Sequence, residues 1–409
     1  MMKPVRGRAR QKRCQEPYDF SEKVPDTFSD AGRRRSARVL LAAAAIAVCL
    51  TLLVPGPSAA ASPPAVAARP RPAGAAPAAV AQATGATRTR AEVEALIQKA
   101  GATPPDWWNS VALNYPPTVD LKWPDMRGKP WNSQTNIGQY MWSVINENPS
   151  KWRGGVKLLH HCLMVNKGNS AALDKAMDAL GNAYFNLLQD WPRAVFWWRK
   201  AGYDDDGYSA RCYWKMGCKE MAVEVLNSLP PAEPGYGNIA KLWADMGETG
   251  KALAAADALV RAGKPEQGHL AAGDACRQAG RYPDAVEYYR KLLQVAKNKN
   301  VKQRAQDGID AIRLVDSLDL SKVRDGAYTA AVMAYAGPLE VQVEVRRGRI
   351  VSVRVTRHQE KQFYAALTDT PAQIVARQGI KGVDAVTSAT ITSEAILGAT
   401  VKALAKGMQ

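Results

Sequence analysis

The spacing of apolar positions divides the chain. From Ala91 to Val315 the apolar residues group as helices require. From Leu318 the character changes: DGAYTAAVMAY and LEVQVEVRRGRIVSVRVTRH alternate apolar and polar residues with period two. Arg347-Gly348 stands between two Val-rich runs, as the turn of a hairpin does. Pro371 to Gln378 then reads as a short helix. Glu394 to Met408 carries Leu397, Val401, Leu404 and Met408 on one face and reads as an amphipathic helix. The pattern predicts an α-helical region followed by a small α+β domain over residues 318–409.

Within the helical region, LGNAYFNLLQDWPRAVFWWRKA, ARCYWKMGCKEMAVEVL, AKLWADMGETGKALAAADALVRAG and AAGDACRQAGRYPDAVEYYRKLL align on Ala194, Ala222, Ala252 and Ala285. The separations are 28, 30 and 33 residues. Gly217, Gly247 and Gly280 each precede their anchor by five residues and mark a turn. In the last unit Gly273, Gly280, Ala285 and Tyr289 fall where close helix approach and an interlayer aromatic are needed. Residues 171–315 thus resemble a degenerate tetratricopeptide-like α-solenoid, whose regular period is about 34 residues. The resemblance implies a concave face that docks partner proteins.

The segment 91–170 holds Trp107, Trp108, Trp123, Trp131, Trp142 and Trp152, six of the eleven tryptophans. A helical cap packed on the next layer accounts for them more simply than a ligand stack. The cysteines at 14, 49, 162, 212, 218 and 276 form no CxxC or CxxCH unit, so haem c, zinc-ribbon and iron–sulfur motifs are missing. Cys212 and Cys218 fit apolar helix positions and read as packed thiols rather than a disulfide. His160-His161 beside Cys162 has no further ligands at metal spacing, and no metal site is expected. Asp204-Asp205-Asp206 reads as a solvated turn.

Ahead of the helices, Val39 to Val54 is an apolar run of 16 residues preceded by eleven Lys and Arg. That length lies between a signal-peptide core of about 7 to 15 residues and a spanning helix of about 17 to 25. The basic flank keeps residues 1–38 in the cytoplasm and sends the remainder across. An arginine pair is present, although the residues after it fit a twin-arginine export signal poorly. Residues 55–90, rich in Ala and Pro, form a semi-extended tether. The expected location is therefore the cytoplasmic (inner) membrane, single-pass, with the C-terminal domains extracytoplasmic or periplasmic.

The formal charge of +17 would point to nucleic acid, but residues 1–90 hold 15 Lys and Arg against 5 acids. Beyond them 40 bases face 33 acids, with no basic block of the kind a nucleic-acid footprint needs. No nucleic-acid partner is expected.

The densest chemistry is GVDAVTSATITS, Gly382 to Ser393, at the entry to the last helix. A helix N-terminus offers unpaired N–H groups and a positive dipole end suited to a phosphate, and small side chains let the phosphate approach. The hydroxyls add hydrogen bonds or an attachment point. N-capping by Thr392 or Ser393 needs one hydroxyl, not a cluster.

From Asp325-Gly326-Ala327-Tyr328 through the hairpin, the Ile374–Gln378 helix and Asp384-Ala-Val-Thr387-Ser388-Ala389-Thr390-Ile-Thr392-Ser393, the chain resembles the FMN-binding domain. This is the domain of the flavin-carrying subunits of sodium-pumping NADH:quinone oxidoreductase and related membrane redox complexes. The resemblance implies FMN as cofactor and Thr390 as the acceptor of a phosphoester bond made from FAD by a separate Mg-dependent flavin transferase. Asp384, Thr387, Ser388, Ala389, Thr392 and Ser393 would shape the phosphate turn. Ser388 stands where glycine is commoner. His358, Glu360 and Lys361 come after the second hairpin strand; facing the flavin ring is one reading of them, and a solvated strand end is the favoured one.

No GxGxxG, catalytic triad or carboxylate pair stands out, so no catalytic residue is named. The function implied is electron transfer within a redox assembly rather than an enzyme with its own substrate. A repeat-based envelope scaffold with non-covalent or no functional FMN is the alternative.

Overall fold

The computed structural model describes residues 87–408 apart from 125–128, 204–206, 230–235, 316, 361–364, 384–385 and 387–388. The expected membrane segment 39–54, the tail before it, the tether up to residue 86 and the Asp204-Asp205-Asp206 turn lie outside the described residues. Among the described residues no helix is long and apolar enough to cross a membrane.

Helix α1 (Arg90–Ala102) starts at a capping box in which the Thr89 hydroxyl and the Glu92 carboxylate satisfy each other's backbone N–H. Next come α2 (Trp152–Val165), α3 (Ser170–Ala183), α4 (Trp191–Ala201), α5 (Gly207–Lys215), α6 (Lys219–Ser228), α7 (Tyr236–Asp245), α8 (Thr249–Arg261), α9 (Pro265–Gln278), α10 (Tyr282–Val295) and α11 (Lys299–Val315). From α7 to α11 each helix packs against the next. Ala194, Ala222, Ala252 and Ala285 are fully buried at the start of second helices. Gly217, Gly247 and Gly280 adopt φ of 91°, 78° and 73°, a left-handed conformation that ends one helix and aims the chain into the next. A Cβ on Gly273 would meet the Tyr289 ring at 2.5 Å, so α9 and α10 approach closely there.

The aromatic segment divides in two. Trp108 is buried, and Trp107, Trp123 and Trp152 pack against the same core, as a cap would. Trp131 and Trp142 are instead 60% and 42% exposed. His160 is buried edge-on between Trp108 and Trp197, with Nε2 at 3.0 Å from the Tyr184 hydroxyl. Burial drives its pKa down to about 3. Cys162, Cys212, Cys218 and Cys276 are buried outside any disulfide.

The C-terminal unit is an antiparallel sheet in the order β1 (Gly326–Met333), β2 (Pro338–Arg346), β3 (Arg349–Arg357). Leu339, Val341, Val343 and Val345 of the central strand alternate fully buried with polar neighbours. Arg347 and Gly348 close the hairpin at φ of 51° and 67°, the pair of positive values that a two-residue turn matched to strand twist demands. Register shifts at Glu340/Val341 and Glu344/Val345 break the alternation of β3 and leave Val351 exposed.

Two helices cover this sheet: α12 (Ala366–Arg377) on β3 and α13 (Thr390–Gly407) on β1 and β2. Helix α12 is longer than the predicted one and carries Pro371 inside it, still within the N-terminal half where the missing N–H costs least. Helix α13 starts four residues before the predicted start and is not amphipathic. Ile396, Leu397, Ala399, Thr400, Val401, Ala403 and Leu404 are all buried, because the sheet covers one side and α11 and α12 the others. Asp307 of α11 fastens the junction: its carboxylate accepts from Met333 N at 2.8 Å and from Lys402 Nζ at 2.7 Å.

Candidate functional site

Thr390 is the first residue of α13, with Ala389 as its N-cap and no side chain capping the helix. No acid stands in the first turn, and no described side chain meets the first N–H groups or the dipole end. The Thr390 side chain is half-buried and makes no hydrogen bond among the described residues. The segment before it is held by Ala389 N donating to Val386 O at 3.0 Å. Ala365, Ala366, Val386 and Ala389 form a small apolar cluster of their own beneath the turn.

The other hydroxyls point inward. Ser393 Oγ accepts from Val386 N at 3.0 Å and from Thr370 Oγ1 at 3.1 Å, tying the turn to α12 and to its own helix. Thr392 Oγ1 donates to Glu360 Oε2 at 2.7 Å. Thr392 and Ser393 therefore neither cap the helix nor face outward; they brace the turn from below. Asp384, Thr387 and Ser388 lie outside the described residues.

Glu360 departs from the solvated strand end predicted for it. It is 5% exposed, with Oε1 accepting from Ala336 N at 3.0 Å and Oε2 from Thr392. One carboxylate thus clamps the β1–β2 loop to the first turn of α13. His358 is exposed as predicted, and Lys361 lies outside the described residues. A cleft of about 400 Å³ opens beside Glu360, lined by Glu147 and Pro149 of the aromatic segment and by His358, Gln359, Leu367 and Thr368. Its volume falls in the ~300–1,000 Å³ range of small-molecule sites.

Residues 334–405 match the FMN-binding domain family. This part of the chain is an FMN-binding domain. Its cofactor is FMN, and the site suits it: an uncapped helix start bearing a hydroxyl, small residues around it and a cleft alongside. The match begins within the β1–β2 loop and ends in α13, so it spans the Glu360 clamp and the Thr390 turn. No curated protein and no solved structure matches the chain.

Behind the FMN-binding domain, α9 and α11 bring a second group of polar residues to α13. Arg277 pairs with Glu394, four residues after Thr390. Asp274 accepts from the Tyr289 hydroxyl at 2.7 Å. Burial, then the neighbouring Glu394 charge, pushes the Asp274 pKa up to about 7. Arg304 of α11 borders the same small cavity, of about 50 Å³, together with Arg277, Ile391 and Glu394. Sequence reading put Glu360 in solvent and missed this whole group. Glu360 comes after a strand among polar residues, and the others sit in helices whose periodicity only marks which face is buried.

Proposed function

We propose that this protein is a membrane-tethered, extracytoplasmic flavoprotein that carries FMN covalently on Thr390 and transfers electrons within a redox assembly. The observation that carries the reading is Thr390 itself, an unbonded, half-buried hydroxyl at the uncapped start of an 18-residue helix within an FMN-binding domain. Attachment joins Thr390 Oγ1 to the FMN phosphorus of FAD, breaks the pyrophosphate bond and releases AMP and the hydroxyl proton. A flavin transferase supplies the metal and the base. When bound, FMN supplies one- and two-electron steps. The chain's own part is to hold it: N–H groups of the α13 first turn receive the phosphate, Glu360 and Ser393 keep that turn rigid, and His358, Leu367 and Thr368 line a cleft for the ring.

The apolar run 39–54 anchors the chain, and residues 55–90 hold the folded part off the membrane. The helix pairs of residues 171–315, read as a tetratricopeptide-like array, dock redox partners. A covalent link suits this location, where dissociated FMN would be lost.

Intact mass and peptide mapping of the chain matured with a flavin transferase test the reading. A gain of one FMN on the peptide containing Thr390, abolished by Thr390→Val, is expected. An unmodified chain, under conditions that flavinylate a control protein, overturns it.

A further inference from the structure

The cleft beside Glu360 is not made by the FMN-binding domain alone. His358, Gln359, Glu360, Leu367 and Thr368 form one wall, and Glu147 and Pro149 form the other. The last two stand outside residues 334–405 and belong to the tryptophan-rich segment just ahead of α2.

Two contacts place this cleft at the Thr390 turn. Glu360 accepts from Thr392, two residues past Thr390, at 2.7 Å. Leu367 and Thr368 follow directly on Ala365 and Ala366, which cluster with Val386 and with Ala389, the N-cap of α13. The cavity behind α13, at about 50 Å³, holds no tricyclic ring, whereas the cleft, at about 400 Å³, has room for one.

The wall given by the helical region is braced. Asn148 donates from its backbone N to Ile145 O at 3.0 Å and from Nδ2 to Val144 O at 2.7 Å. Trp152 Nε1 donates to Asn146 O at 3.1 Å. Ile145 is buried so tightly on α2 that a Cβ on Gly155 would lie 2.3 Å from it. Glu147 therefore sits in a fixed turn, while its own side chain is exposed and makes no hydrogen bond or ion pair among the described residues. The fold does not use its charge.

We propose that the FMN ring lies between the two regions, with Pro149 and Leu367 against its apolar surface and the Glu147 carboxylate beside it, so that the helical region sets the reduction potential of the flavin. Reduction adds negative charge to the ring, and a carboxylate fixed alongside opposes that charge. Glu147 thereby favours the oxidised form and makes the reduced flavin a stronger electron donor. The proposal rests on the reading that FMN is carried at the Thr390 turn.

The test is a redox titration. The full chain is loaded with FMN by a flavin transferase, or by titration with free FMN if Thr390 gains no mass, and the midpoint potential is followed by absorbance. Glu147→Gln is expected to raise the potential by the equivalent of about a threefold or larger gain in preference for reduced flavin, with the melting temperature unchanged. Glu147→Asp is expected to stay closer to wild type than Glu147→Gln does. Asp257→Asn removes an exposed carboxylate of α8 that does not line the cleft, and is expected to leave the potential where it was. An unchanged potential in Glu147→Gln, or an equal rise in Asp257→Asn, overturns the proposal. FMN that binds without attachment overturns the Thr390 link alone, and the potentials still decide the role of Glu147. A chain that takes up no FMN by either route overturns both.

Discussion

Asp245 and Thr390 stand at opposite ends of helices, α7 and α13, and their surroundings contrast. Asp245 is buried deep in the helical region, where it takes Arg211 and Lys241 as ion partners and Gln278 as a donor at 2.8 Å. Its neighbours leave no capacity for a ligand. Thr390 is braced from beneath by Thr392, Ser393 and Glu360, yet its own hydroxyl is bonded to nothing described. The helical region uses buried polar groups to hold helices in register. The C-terminal domain uses them to tie α12 and the β1–β2 loop to the first turn of α13. The contrast teaches that a dense gathering of buried polar residues can be wholly structural, and that Thr390 differs in having no described partner.

The largest effect that sharpens the contrast is expected from Asp245→Ala. It strands two buried cations and should cost about 3–5 kcal/mol in denaturant unfolding, with flavin attachment per folded molecule unchanged. Ser393→Ala removes the acceptor for Val386 N and Thr370. A loss of about 1–3 kcal/mol is expected, here accompanied by slower flavinylation measured by mass, because the turn loses its brace.

A third comparison uses pH. Asp274, at the junction with α13, has a folded pKa of about 7 against an ordinary value of 3.8. Its contribution to stability is therefore fully present below about pH 4 and is lost as pH rises through 7. Asp274→Asn keeps an acceptor for Tyr289 and should gain stability over wild type at pH 8 relative to pH 5, tracked by melting temperature. His160 has the opposite sign: its pKa falls from 6.5 to about 3, so its contribution is present above pH 6.5 and lost on acidification toward 3. His160→Gln should flatten the acid limb of the same curve. The smallest stability effect belongs to Thr390→Val. With no hydrogen bond to lose, it should unfold within about 0.5 kcal/mol of wild type while carrying no covalent flavin.

Much of this was legible in the chain. The period-two runs became β1 to β3, Arg347-Gly348 became the hairpin turn, and Gly217, Gly247 and Gly280 took the left-handed conformation. The cluster around Thr390 fell at a helix start. What misled was also physical. The run from Glu394 reads as amphipathic because Thr400 and the small residues Ala395, Gly398, Ala399 and Ala403 look tolerant of solvent. In the structure they are all buried, because the sheet and two helices enclose α13. His358-Gln359-Glu360 reads as a solvated strand end because nothing local announces the buried hydroxyl that Glu360 meets.

The sequence by itself determined the helix and strand periods, the hairpin, the tight turns and the hydroxyl cluster, since each depends on residues within a few positions of one another. Only the tertiary structure decided that Glu360 reaches Thr392 across 32 positions, that Arg277 reaches Glu394 across 117, and that Lys402 reaches Asp307 of a helix in another region across 95. Periodicity fixes which face of an element turns inward. Which charge meets which, and which is left unmatched, depends on how the elements are stacked.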